Sequence, residues 1–143
     1  MVWTTNETRQ LNWGTTYDVR VTVRNMGDSD AANVTVSLQY TYPWTAPNNW
    51  TDAMDDSAGA GQKCERTNVS VSALDETHVD FKWKPRSGEV SGAPAGQTHY
   101  CLLVTIDHGD DPLSLNMAAG GPGAWSTNIK GTNNCALRNL HID

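Results

Sequence analysis

Three aspartates near the end of a predicted strand could bind a metal ion. They lie within the run Asp107-His108-Gly109-Asp110-Asp111. Carboxylate oxygens suit Ca²⁺, which tolerates irregular geometry. The run lacks the Asp-x-Asp-x-Asp-Gly spacing of a dedicated calcium loop, so a solvated turn is the alternative. We predict Ca²⁺ at Asp107, Asp110 and Asp111 as the one candidate cofactor, with a weaker hypothesis of the same kind for Asp52, Asp55 and Asp56.

Residues for nucleophilic catalysis are sparse. The sequence contains no Gly-x-Ser-x-Gly turn, which is one way of presenting a nucleophile. His99 and Cys101 fall on the same face of a predicted strand and could pair, but nothing suggests a third orienting group or an oxyanion donor. The four histidines show no paired ligand spacing, which argues against structural zinc. We expect no catalytic site and no enzyme activity.

Cysteines and glycosylation triplets give two further sets of candidates. Cys64, Cys101 and Cys135 allow at most one internal disulfide, and three buried free thiols are the alternative. Asn-x-Ser/Thr triplets would accept glycans in a suitable host, and they begin at Asn6, Asn33, Asn49 and Asn68.

Tryptophan is unusually common, with six residues against one phenylalanine. Trp83 alternates with charged residues and is predicted to lie in the core. Trp44, Trp50 and Trp125 fall in long predicted loops, where flat rings could stack on a sugar. The alternative is that each loop tryptophan packs onto the domain beneath it.

Charge and hydropathy exclude two classes of partner. The net charge of −6, with Lys and Arg scattered, provides no basic face for nucleic acid. No apolar run is long enough to cross a membrane, and the first ten residues do not resemble a signal peptide. We therefore expect a domain cut from a longer exported protein, or export by another route.

The elements that must position these residues are β-strands. Strict alternation, which places every second side chain on one face, begins at Tyr17, Val19, Val21 and Val23. It resumes after a turn at residues 25–30, and the two segments are predicted to be consecutive strands of one antiparallel sheet. Further strands are predicted by the alternating sets Val34 to Tyr42, Val69 to Ala73, Val79 to Trp83 and Tyr100 to Ile106, and by the segments Val2 to Thr4 and Cys135 to Ile142.

Seven short strands without a convincing helix predict an immunoglobulin-like antiparallel β-sandwich, formed as a single domain by residues 1–143. Cys101 and Leu103 are apolar on the second face of their strand, as expected for a central strand covered by a loop. Two connections, near residues 43–61 and 108–133, are too long for hairpins. Long loops in compact domains are often functional, so specificity is expected there.

The strand motifs resemble bacterial and archaeal CARDB-type domains, which are related to cell adhesion. The similarity lies in Tyr17–Gly27, Ala32–Val36, Phe81–Pro85, His99–Val104 and Asn133–Leu140. It implies an immunoglobulin-like fold in exported proteins, with adhesion or spacer roles and no catalysis. It also implies a cysteine just after the Arg-Asn-x-Gly turn as a partner for Cys101, a place where this sequence has Asp28.

The leading hypothesis is a non-catalytic structural or adhesion module at the cell surface or outside the cell. It would contact a protein partner or self-associate, as one bead of a larger surface protein or as a fibre subunit. The first alternative is a carbohydrate-binding module that uses the loop tryptophans. The second is a linker domain stiffened by Ca²⁺.

Overall fold

The computed structural model describes residues 10–42, 50–57, 61–111 and 134–143. Within these ranges the chain is all-β, as predicted, and none of the described residues forms a helix that could cross a bilayer. The strands are β1 (Gln10–Leu11), β2 (Tyr17–Arg24), β3 (Ala31–Thr41), β4 (Thr51–Asp52), β5 (Glu65–Val71), β6 (Glu76–Trp83), β7 (His99–Asp107) and β8 (Cys135–Ile142). The strand predicted at Val2 to Thr4 lies outside the described residues.

The described strands form two sheets. The larger has the order β1-β8-β7-β3-β4, and β5 also pairs with β3. The smaller contains β2 and β6, which run antiparallel from Tyr17 opposite Trp83 to Arg24 opposite Glu76. All named strand pairs are antiparallel except β1 with β8.

The predicted pairing of the first two long strands is wrong. β2 belongs to the smaller sheet, whereas β3 pairs with β5 and β7 in the larger one. The turn at residues 25–30 therefore connects the two sheets instead of closing a hairpin. Alternation determines which face of a strand is buried, but it does not determine which strand lies beside it.

The core lies between the two sheets. β2 and β6 contribute Val21, Val23, Phe81 and Trp83, each less than 5% exposed. The predicted core position of Trp83 is confirmed, since it is 1% exposed and its ring packs 5.2 Å from that of Tyr40. Burial of these apolar side chains is the main term that stabilises the two-layer arrangement.

A second apolar cluster covers the outer face of the larger sheet. Leu103 of β7 and Cys135 of β8 are buried there, and Trp50 and Leu137 pack against them. Since β7 lies between β3 and β8, it is the central strand with two buried faces that the sequence predicted.

Candidate interaction surface

The outer face of the small sheet carries a row of paired polar side chains, which we call the charged ladder. It consists of Asp18, Arg20, Thr22 and Arg24 of β2, opposite Lys82, Asp80, His78 and Glu76 of β6. Alternation places these residues on one side of the sheet because their neighbours in sequence point into the core. The ladder residues are exposed except for Thr22, which is buried.

Each pair of facing residues in the ladder is joined by a side-chain hydrogen bond or ion pair. Arg20 contacts Asp80 through both Nε–Oδ1 at 2.7 Å and Nη2–Oδ2 at 2.9 Å, and Lys82 contacts Asp18. Arg24 Nη2 lies 2.8 Å from a Glu76 carboxylate oxygen, while Thr22 Oγ1 lies 3.1 Å from His78 Nδ1. The register of β2 and β6 is thus reinforced at every outward position from 18 to 24.

The Arg20–Asp80 pair also affects titration. The hydrogen bond from Arg20 holds the pKa of Asp80 below its ordinary value, and the same pair raises the pKa of the Arg20 guanidinium. Both side chains are more than half exposed, so solvent screens the pair and its contribution to stability is small. The ladder is therefore better suited to specifying a register than to stabilising the fold.

Strand β2 is exposed at Asp18 and Arg20 but buried at Val21, Thr22 and Val23. Its one strand neighbour is β6, and within the described ranges no backbone hydrogen bond reaches β2 from its other side. The edge of β6 that faces away from β2 is partly covered. Asp56 N donates to Lys82 O at 2.7 Å, and Asp55 forms an isolated β-bridge with Trp83. An unpaired edge presents backbone donors and acceptors that another strand can bind.

The sequence did not reveal this edge. The predicted pairing of β2 with β3 would have covered one side of β2. The available signal was the absence of a two-residue hairpin turn in residues 25–30, which permits a connection between sheets.

A buried ion pair supports the covered edge of β6. The Asp55 side chain has no exposed surface and accepts a hydrogen bond from Arg66 Nη2 at 2.6 Å, and the Arg66 guanidinium lies 4.8 Å from the centre of the Phe81 ring. Burial acts to raise the pKa of Asp55, but hydrogen bonds from Ser57 and Arg66 outweigh it and the pKa is lowered. Asp55 thus has protein partners that compensate the burial of its charge.

The neighbouring acidic residues also have protein partners. Asp52 accepts a hydrogen bond from Gln39 Nε2 at 2.9 Å, and Asp56 accepts one from Thr16 Oγ1 at 2.6 Å. These contacts give each carboxylate a protein partner, and the weaker calcium hypothesis for Asp52, Asp55 and Asp56 stays a prediction.

The stronger calcium candidates lie at and beyond the end of β7. Asp107, Asp110 and Asp111 are exposed, and Asp111 N donates to His108 O at 3.1 Å in a tight turn. Among the residues that the structure describes, no group of three or more His, Cys, Asp or Glu side chains is placed to hold a metal ion. Calcium at this turn remains a prediction, which a comparison of thermal midpoints in calcium and in chelator would test.

The three cysteines are free and buried, in keeping with the three-thiol alternative. The Cys101 thiol donates to Asn139 Oδ1 at 3.4 Å, so its contact is with an amide of the adjacent strand. His99 instead packs its ring 5.2 Å from that of His141. Burial raises the pKa of Cys101 and Cys135, and it raises that of Cys64 to about 12. Such thiols are poor nucleophiles at neutral pH.

The sugar-stacking hypothesis concerns Trp44, Trp50 and Trp125. Trp50 is partly buried against the cluster of Leu103 and Cys135, which agrees with the alternative of a tryptophan that packs onto the domain. Trp44 and Trp125 lie outside the described residues.

Two of the four predicted glycan acceptors occupy β-bulges. Asn33 and Asn68 are exposed and have φ of 60° and 59°, at the register shifts between β3 and β5. Asparagine tolerates this left-handed conformation better than most residues, which accounts for its presence there without glycosylation. Asn6 and Asn49 lie outside the described residues, and glycosylation at all four stays a prediction.

Comparison with known proteins identifies a similar fold. No family model matches the chain, and no curated protein matches it. The chain is similar to the crystal structure of the CARDB domain of the PF1109 protein from Pyrococcus furiosus in complex with di-metal ions, with a TM-score of 0.52 and 16% identity over 94% of this chain and 84% of that one. A solution NMR structure of that domain has a TM-score of 0.49 and 15% identity, covering 94% of this chain and 86% of the other. The crystal-structure match, taken with the two sheets described above, establishes that this chain has the all-β, CARDB-type fold that its strand motifs predicted.

Proposed function

We propose that this chain is a non-catalytic structural or adhesion module that makes protein contacts by strand addition at the exposed first half of β2, on the edge that faces away from β6. Its setting is the cell surface or the exterior of the cell, as a bead of a larger surface protein or as a fibre subunit. The observation that carries the proposal is that β2, within the described residues, has a strand neighbour on one side and is exposed at Asp18 and Arg20.

Strand addition fits the chemistry of this edge. Backbone groups of an added strand supply the affinity, and side chains on alternate positions supply the specificity. Val19 is only partly buried at the rim of the core, and the ladder residues project on the opposite face. An added strand could therefore match an apolar row on one face and a charged row on the other.

Nuclear magnetic resonance with a strand peptide tests the proposal directly. The probe is an uncharged peptide of alternating Thr and Val, added to the isotopically labelled chain. We expect concentration-dependent shifts of backbone amides in Tyr17–Arg24, with smaller changes in β5, which forms an edge of the larger sheet. Shifts confined to other strands, or none at any peptide concentration, would contradict the proposal.

Two adjacent proline substitutions sharpen this test. Along an antiparallel strand, successive N–H groups point alternately to the two sides. Of Val19→Pro and Arg20→Pro, one therefore removes an N–H from the open edge and the other removes a bond to β6. The variant that lacks the N–H on the edge away from β6 should no longer bind the peptide but should retain most of its thermal stability. The variant that lacks the bond to β6 should melt at a lower temperature. Val19→Ala and Arg20→Ala control for the loss of each side chain.

A further inference from the structure

We propose that His99 and His141 form a two-histidine site for a divalent transition-metal ion such as Zn²⁺ or Cu²⁺ on the outer face of the larger sheet. The two residues lie directly opposite each other on the antiparallel strands β7 and β8. Both are accessible, since His99 is exposed and the His141 side chain is 37% exposed. The site is separate from β2 and does not depend on the proposed function.

The backbone brings the two imidazole rings close together. Ile142 N donates to Thr98 O at 2.7 Å, so the next facing pair, residues 99 and 141, is one without direct backbone hydrogen bonds. Side chains approach most closely at such pairs. The ring centres lie 5.2 Å apart. Two imidazoles bound tetrahedrally to one Zn²⁺, each at about 2.1 Å, have ring centres about 5 Å apart.

The spacing therefore suits a shared ion, and only the ring orientation must change. The ring planes are nearly perpendicular, at 80°. His99 is exposed, so its ring can turn about the side-chain bonds and direct a nitrogen at the ion without movement of the backbone.

Asp143 fixes the tautomer of His141. Its Oδ1 lies 2.7 Å from His141 Nε2, and its Oδ2 accepts a hydrogen bond from Gln10 Nε2 at 3.0 Å. Because the carboxylate accepts, Nε2 carries the proton and the lone pair of neutral His141 is on Nδ1. Metal-binding histidines usually donate their other ring N–H to a carboxylate, a carbonyl or water. Asp143 is thus a positioning residue, and His141 Nδ1 is the ligand.

Backbone contacts hold this carboxylate in place. Asp143 N donates to Leu11 O at 2.9 Å, and Asp143 O accepts from Trp13 N at 2.9 Å. The parallel pairing of β1 with β8 sets Gln10 beside His141. Hydrogen bonds from Gln10 and His141 lower the pKa of Asp143, so it is ionised at neutral pH and accepts from both.

The ligand atoms select the class of ion. Imidazole nitrogen suits Zn²⁺, Cu²⁺ and Ni²⁺, whereas Ca²⁺ takes oxygen ligands. Water would complete the coordination around two protein nitrogens. Such a site needs fewer ligands than the groups of three or more that are absent among the described residues. It is also distinct from the calcium predicted beyond the end of β7.

Cys101 lies next along the same strand face but is not a ligand. It is 4% exposed, and its thiol donates to Asn139 Oδ1 at 3.4 Å. A thiol binds metal after losing its proton, and burial raises the pKa of Cys101. Cys101→Ser should therefore bind Zn²⁺ as tightly as the original chain.

Nuclear magnetic resonance of the imidazole nitrogens tests the site directly. Equimolar Zn²⁺ added to the ¹⁵N-labelled chain at neutral pH should shift His141 Nδ1 and one ring nitrogen of His99. His78 and His108 should stay unchanged, and Ca²⁺ at the same concentration should shift none of the four rings. No shift at His99 and His141, or equal shifts at all four histidines, would overturn the proposal.

Titration calorimetry compares affinities among matched variants. His99→Ala and His141→Ala should each bind Zn²⁺ at least tenfold more weakly. His78→Ala is the control, because His78 is also an exposed strand histidine but faces Thr22, and its affinity should equal that of the original chain. Unchanged affinity in His99→Ala, in a variant that melts cooperatively, would overturn the shared site.

Asp143→Asn tests the positioning role. It should weaken Zn²⁺ binding about tenfold. In the absence of metal, the ring nitrogen shifts of His141 should also move away from those of an Nε2–H tautomer, a change that a purely structural role would not produce. An unchanged tautomer with unchanged affinity would refute the role of Asp143.

Thermal unfolding provides an independent readout. Folding brings together two histidines from different strands, so an ion bound to both stabilises the native state. The midpoint in Zn²⁺, relative to the midpoint in chelator, should be higher for the original chain and His78→Ala than for His99→Ala and His141→Ala. Zn²⁺ binding to unfolded cysteines is common to all four chains and cancels in this comparison. Equal differences in all four would overturn the proposal.

Discussion

Asp55 and Arg66 form an ion pair whose two partners differ sharply in exposure. The Asp55 side chain is fully buried, whereas 37% of the Arg66 side chain is exposed, and the two are joined at 2.6 Å. Ser57 also donates to the carboxylate through its backbone N–H and its hydroxyl. A buried carboxylate needs such partners, because the loss of water around a charge is costly.

Removing Arg66 should therefore destabilise the domain strongly. In Arg66→Met the Asp55 carboxylate stays buried and keeps only its Ser57 donors, so we expect a loss of about 3 kcal/mol in the free energy of unfolding, measured by urea denaturation. Arg20→Met, which breaks an exposed pair, should cost much less, because solvent screens that pair. Equal losses in the two variants would contradict the structural role given to Asp55.

The same carboxylate predicts a pH dependence of stability. The pKa of Asp55 is lowered in the folded chain, so the folded state binds the proton less readily than the unfolded state. Its stabilising contribution is complete above the ordinary aspartate pKa of about 3.9 and is lost as the pH falls through the lower, folded value. Asp55→Asn removes this contribution at every pH.

We therefore expect urea denaturation in acid to distinguish the original chain from the Asp55→Asn variant. Between about pH 5 and pH 2 the free energy of unfolding should fall more steeply in the original chain than in Asp55→Asn. Asp80 and Asp143, whose pKa values are also lowered, are present in both chains and cancel in the difference. Parallel curves would show that Asp55 does not have a lowered pKa.

The cysteines should resist alkylation until the domain unfolds. A thiol reacts as its thiolate, and the pKa of Cys64 is raised to about 12, mainly by burial and also by the charge of Asp55. At pH 8 we expect mass spectrometry to detect slow labelling by iodoacetamide in the folded chain. In denaturant all three thiols should be labelled without prior reduction. Rapid labelling of any folded thiol, or a need for reductant, would be the contrary result.

Alternation predicted the long strands because each needs one apolar face for the core. It failed for the neighbour of β2, since β2 and β3 alternate in the same way and belong to different sheets. The two-residue strands β1 and β4 are too short for a period to be visible. The predicted long loop before residue 61 in fact contains β4.

The candidate surface was predictable only in part. The charges of the ladder are evident in the alternation of β2 and β6, but their pairing depends on a register that no local pattern specifies. The role of Asp55 was missed for a similar reason. Its partner Arg66 is eleven positions away on β5, and a cluster of aspartates suggests a metal before it suggests an ion pair.

Leu74 provides a final test, because its backbone conformation does not suit its side chain. It has φ of 56° in the turn between β5 and β6, where its N–H donates to Gly27 O at 3.1 Å, and its side chain is 74% exposed. The left-handed conformation costs a residue with a Cβ roughly 1–2 kcal/mol, and glycine avoids this cost. Little apolar burial is lost on truncation because the side chain already faces solvent.

We therefore expect Leu74→Gly to raise the free energy of unfolding by about 0.5–1 kcal/mol, since relief of strain exceeds the extra freedom that glycine gives the unfolded chain. Leu74→Ala is the matched control. It removes the same exposed side chain but keeps the Cβ, so its stability should stay close to that of the original chain. Urea denaturation of the three chains measures the difference. A glycine variant less stable than the alanine variant would mean that Leu74 does not hold a left-handed conformation in solution.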